Sequence, residues 1–119
     1  MSPDDRIRLL HMADAVDSAL QFLHGRERAQ LEDDRMLVFA LVRAVEIVGE
    51  AASKVSAEGR AELPQIPWNG MVGMRNRLVH AYFDVDLDIL WNTATQALPE
   101  LRGHLARALS SNAEPGTPG

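Results

Sequence analysis

The residues that could do chemistry lie close together. Met74-Arg75-Asn76-Arg77-Leu78-Val79-His80-Ala81-Tyr82 holds two arginines, an amide, a histidine and the only tyrosine of the chain. Histidine titrates near neutrality, so it can take a proton from a ribose hydroxyl or return one to a leaving oxygen. Arginine stays charged, and its planar fork matches two phosphate oxygens. Metal-free cleavage of a phosphodiester needs those two functions: proton transfer, and stabilisation of charge growing on the phosphate. The same residues have a plainer reading as a solvated helix face, with His80 favoured at the negative end of the helix dipole. An Arg-x4-His spacing alone does not separate the two.

On a continuous helix Arg75 and His80 stand about 140° apart. Asn76 and His80 share a face one turn apart, which places the amide to hold the imidazole in one tautomer. One helix therefore gathers the groups without closing a pocket. A second copy across a two-fold axis would complete one.

Four helices are expected to position this stretch. Ser2 caps the first, with Pro3 at its first position and Asp4 and Asp5 complementing the dipole. Its apolar stripe is Leu9, Ala13, Val16, Leu20 and Leu23, and Gly25 ends it near residue 24. The second runs over about 31–57 with two adjacent stripes, so it is buried on a wide face. Gly49 in its middle costs about 1 kcal/mol against alanine and signals close approach of another helix. Glu46 and Glu50 read as members of a salt-bridged stripe with Arg43 and Lys54, or Glu50 reaches the Arg75 region. A loop over 58–67 carries a glycine and two prolines. The third helix is expected from Pro67-Trp68 to His80. Asp86 caps the fourth, which runs to about 109 and is expected to kink at Pro99. The result is an all-α, antiparallel four-helix bundle over 1–109, with a mobile tail over 110–119.

Composition narrows the function. The 119 residues suit one domain. No cysteine is present, which removes disulfides, thiolate metal sites and cysteine nucleophiles. His11, His24 and His104 fall on different helices without metal-ligand spacing, so no metal and no cofactor is expected. The net charge of −5 argues against a broad duplex-binding surface but leaves room for a small basic site. The low aromatic content, three phenylalanines, two tryptophans and one tyrosine, argues against a stacking platform for single strands. No membrane-spanning run or signal segment is read, so the expected location is the cytoplasm.

The stretch Arg75-x4-His80-x-Tyr82 resembles the signature of HepT-like proteins in the HEPN superfamily. The likeness extends beyond it. Asp5 to Met12 resembles the opening helix of that family, Glu46 to Ala52 its Gly-Glu-Ala segment, and Pro64 to Trp68 its Pro-x-Ile-Pro-Trp segment. Gly73-Met74-Arg75-Asn76 leads into the arginine as in the family, and order and spacing agree over about residues 4–109. The resemblance implies a HEPN-type helical homodimer that acts as a metal-independent endoribonuclease toxin on RNA. Arg75 and His80 would be its catalytic pair and Asn76 a supporting residue. The partner implied is a minimal nucleotidyltransferase antitoxin that transfers AMP onto Tyr82. An alternative is a non-catalytic helical module that binds such a nucleotidyltransferase, and a third reading is a purely structural helical dimer.

Overall fold

The computed structural model describes residues 1–79 and 84–113, with side chains to residue 110. These residues form an all-α bundle. The first helix, α1 (Pro3–Leu23), begins where expected: Ser2 Oγ accepts from the Asp5 N–H at 3.1 Å. Gly25 follows it at φ +75°, a left-handed conformation that suits glycine.

The second long helix is shorter than its apolar pattern. One separate turn, α2 (Gln30–Asp33), precedes α3 (Arg35–Ser53). Asp34 divides them. Its backbone is extended and its carboxylate accepts from the Leu37 N–H at 3.0 Å, so it caps α3. The expected loop over 58–67 also contains a helix, α4 (Ala57–Glu62), capped by Ser56. Ser, Thr, Asp and Asn caps set boundaries that apolar periodicity passes over.

The third helix, α5 (Trp68–Leu78), stops two residues short of His80. Val79 is extended and forms an antiparallel bridge with Val85, and the Asp86 N–H donates to the Leu78 carbonyl at 2.7 Å. The β-branched pair thus takes the backbone out of the helix. Residues 80–83, which include His80 and Tyr82, lie outside the described residues.

Asp86 caps α6 (Leu87–Asn92) as expected. A π turn (Thr93–Ala97) joins α6 to α7 (Leu98–Ala113). The expected disruption at Pro99 takes this form: the Leu98 N–H bonds the Thr93 carbonyl five residues back, just ahead of the residue that has no N–H. Helix α7 runs four residues beyond the expected end at 109.

Neighbouring helices are antiparallel. The start of α1 meets the end of α3, because the Asp5 carboxylate accepts from the Ser56 N–H at 2.9 Å and from the Ser56 hydroxyl at 2.5 Å. Gly49 of α3 faces Met71 and Val72 of α5, while Glu46, one turn earlier, reaches Arg75, one turn later. Asp17 of α1 pairs with Arg102 of α7 at 2.6 Å. The core between these helices holds Leu9, Met12, Val16, Leu41, Val45, Met74, Leu78, Leu98 and Leu105, all buried.

Candidate active site

Helix α3 and helix α5 build the site, and Gly49 sets their distance. A Cβ at that position would stand 3.2 Å from the Met71 carbonyl oxygen. The close crossing brings the α3 face one turn earlier against the C-terminal turn of α5. There the Arg75 Nε donates to Glu46 Oε2 at 3.0 Å. The arginine that pairs across the helices is thus met by Glu46, not Glu50. Glu50 instead pairs with Arg43 at 3.3 Å, and Arg43 also stands 3.9 Å from Glu46. Arg43, Glu46 and Glu50 form the salt-bridged stripe expected from spacing, without Lys54, and Arg75 is added to it from another helix.

The Arg75 side chain remains 48% exposed and that of Glu46 29%. Glu46 holds the guanidinium through Nε. The end formed by the two terminal nitrogens is an edge that can bind an oxyanion in two parallel hydrogen bonds. Arg77, also in the last turn, is turned back along its own helix, with Nη2 donating to the Gly70 carbonyl at 3.3 Å. Two arginines at the C-terminal end of α5 complement its dipole, but they are held differently.

The Arg75–Glu46 pair is the shared wall of two clefts. One, of about 200 Å³, is otherwise lined by Phe39, Val42, Val79 and Val85. The other, of about 240 Å³, is lined by Gly49, Glu50, Ser53, Val72 and Asn76. Asn76 is exposed and shares this polar cleft with Arg75. α5 ends at Leu78, so the continuous helix to His80 that the sequence pattern implies is not formed, and the position of His80 relative to Asn76 and Arg75 lies outside the described residues. The bridge between Val79 and Val85 instead holds the two ends of the intervening stretch together beside Arg75.

The other sequence candidates fall outside the site. His11 and His24 are exposed, and His104 lies 2.9 Å from Arg107 on α7. Trp68 is buried, its Nε1–H donating to the Leu63 carbonyl at 3.1 Å, while Trp91 is half-buried. Among the described residues no helix is long and apolar enough to cross a membrane. Sequence reasoning missed Glu46 as the partner of Arg75, although Gly49 held the signal: a crossing there puts the residue one turn before it opposite the helix that carries Arg75.

Fold and site together define a small helical bundle that presents an arginine anchored by a glutamate of a neighbouring helix, beside the bridged pair Val79 and Val85. It is a member of the HepT-like ribonuclease family, whose pattern it matches over residues 12–108. A probable ribonuclease HepT of Thermococcus cleftensis is 43% identical over 70 residues, covering 59% of this chain and 64% of that protein. A candidate RNase of Caldanaerobacter subterraneus subsp. tengcongensis is 32% identical over 101 residues, 85% of this chain and 90% of that protein. A candidate RNase of Methanocaldococcus jannaschii is 29% identical over 99 residues, covering 83% and 91% respectively. No solved structure matches the chain.

Proposed function

We propose that the protein is a metal-independent endoribonuclease with Arg75 and His80 as its catalytic pair. The observation that carries this reading is the way Arg75 is held: a half-exposed guanidinium, fixed through Nε by Glu46, whose two terminal nitrogens have no protein partner among the described residues and suit a phosphate. Family membership supplies the substrate class, RNA. His80 removes the proton of the ribose 2′-hydroxyl as that oxygen attacks phosphorus, and a proton returns to the departing 5′-oxygen. The products are a 2′,3′-cyclic phosphate and a free 5′-hydroxyl. Arg75 stabilises the charge that gathers on the phosphate oxygens. Asn76 supports the site from the polar cleft, and Glu46 is a positioning residue that acts through Arg75.

The active unit in this reading is a homodimer in the cytoplasm, half of a toxin–antitoxin pair. The antitoxin is a minimal nucleotidyltransferase that transfers AMP from ATP to the Tyr82 hydroxyl, releasing pyrophosphate. The added phosphate competes for Arg75 and the nucleoside blocks the cleft. The test has two parts. RNA incubated with the protein in excess EDTA should be cut; restoration of cutting only by a divalent ion would overturn the metal-independent mechanism. Intact mass after reaction with the partner and ATP should rise by AMP in the wild type and stay unchanged in Tyr82→Phe. Silencing of the wild type without added mass would favour simple masking by the partner.

A further inference from the structure

We infer that Glu50 is a positioning residue of the site: by holding Arg43 it keeps the Glu46 carboxylate for Arg75. This rests on the reading of the protein as a ribonuclease with Arg75 at its centre. It adds a residue that pairs with Arg43, not with Arg75, and acts through two other side chains.

Two cations and two anions meet where α3 passes α5. Arg43, Glu46 and Glu50 stand at i, i+3 and i+7 of α3, so they share one helix face. Spacing alone makes Glu46 the nearer partner of Arg43. The structure shows the reverse. Arg43 Nη1 donates to Glu50 Oε1 at 3.3 Å, two turns away, and stands 3.9 Å from Glu46 Oε1, beyond hydrogen-bond range. The other Glu46 oxygen, Oε2, accepts from Arg75 Nε at 3.0 Å. Each arginine therefore has its own carboxylate. Lys54, one turn past Glu50, makes no ion pair with it among the described residues. The Ser53 hydroxyl donates to the Glu50 backbone carbonyl and leaves the carboxylate to Arg43.

That division depends on the Glu50 charge. Without it, two arginines face one carboxylate. Arg43 is an i,i+3 neighbour of Glu46 on the same helix, already 3.9 Å away, and its planar fork can take both carboxylate oxygens. Arg75 comes from another helix, is tied by one hydrogen bond and is half-exposed, so it is the arginine that lets go. Glu50 prevents this by drawing Arg43 aside. Glu50 also lines the polar cleft with Arg75 and Asn76. If it acted there only as a negative charge it would repel RNA phosphates, and its removal would help the reaction. The two roles predict effects of opposite sign.

The test is a double-mutant cycle on the full-length protein: Glu50→Gln, Arg43→Gln and both together. Single-turnover cleavage of RNA at saturating protein is read beside hydrogen exchange of the Arg75 Nε–H, followed by NMR and assigned by its loss in Arg75→Lys. That proton reports the bond to Glu46 whether or not RNA is cut. Glu50→Gln should slow cleavage about three- to fivefold, the worth of one exposed ion pair, and speed the exchange. Arg43→Gln should do neither. Adding Arg43→Gln to Glu50→Gln should restore both readouts, because the competing cation is gone. A loss in Glu50→Gln that the second substitution does not repair would overturn the inference, as would unchanged or faster cleavage in Glu50→Gln. Loss and recovery that merely follow the melting temperature would assign Glu50 to stability and overturn it too. If the exchange follows the expected pattern while the wild type cuts no RNA, the arrangement stands and the nuclease reading falls. If the wild type cuts RNA and neither readout responds to Glu50→Gln, the reverse holds.

Discussion

Asp5 and Glu46 are both carboxylates that tie one helix to another, and they are treated in opposite ways. Asp5 is buried and meets neutral donors, the Ser56 N–H and hydroxyl. The Ser56 hydroxyl in turn accepts from the Gly59 N–H at 3.0 Å and so caps α4. Glu46 is partly exposed and meets cations, Arg75 and Arg43. A charge surrounded by oriented dipoles and shielded from water fixes the fold. A charge shared between mobile cations at the surface adds little stability but holds an arginine where a substrate can reach it. The N-terminal junction is therefore a structural joint, and the α3–α5 surface is a working one.

The comparison is broken most readily at the joint. Asp5→Ala should lower stability by about 2–3 kcal/mol, because it removes charge-assisted hydrogen bonds and leaves the Ser56 N–H without its partner. Gly59→Ala should lower it by about 1–3 kcal/mol, because a Cβ there collides with the Asp5 carboxylate. Denaturant titration checks both. RNA cleavage per folded molecule should be unchanged, and a selective loss of cleavage in either variant would join the two regions.

Acid sharpens the contrast. The Ser56 hydroxyl, then the Ser56 N–H, hold the Asp5 carboxyl below its ordinary value of 3.8, while burial opposes them. A group whose value is lowered by folding stabilises the fold above its unfolded value and loses that contribution as pH falls through the folded one. The Asp5 contribution should be complete above about pH 4 and decline below it. Asp5→Asn should flatten this part of the stability profile, and an unchanged acid limb would show that the carboxylate is not the source.

Glu46→Ala should have the smallest effect on stability, within about 1 kcal/mol, as expected of an exposed ion pair. Its cleavage rate should nevertheless fall, by up to about 100-fold, through loss of Arg75 orientation. Glu46→Gln retains an oxygen acceptor for Nε and should recover part of the rate. A loss confined to stability, with kcat intact, would make Glu46 another structural contact.

The helices and the core were legible in the sequence because apolar spacing runs along α1, α3 and α7 and the caps of α1 and α6 agree with it. Ser2, Gly25 and Asp86 act as their residue types dictate. Boundaries were lost where a side chain or a strand-like pairing competes with the helix. Asp34 and Ser56 cut the second apolar run by bonding backbone N–H groups, and the Val79–Val85 bridge ends α5 early. Asp5 reads as a dipole complement, and only the fold brings Ser56 and Gly59 to it. In the site, Arg75 and Asn76 were legible by type and share a cleft. The place of Glu46 was not, because it depends on how α3 crosses α5. His80 and Tyr82 lie outside the described residues, so their roles rest on the sequence pattern.

The central claim is that Arg75 and His80 together cut RNA without a metal. The most direct measurement is single-turnover cleavage in EDTA by wild type, Arg75→Ala and His80→Ala, with analysis of the product ends. The account expects cyclic phosphate ends from the wild type. Each variant should be slower by about 10²- to 10⁴-fold with its melting temperature nearly unchanged. Cleavage by either variant at the wild-type rate, or wild-type cleavage that appears only with a divalent ion, would contradict it.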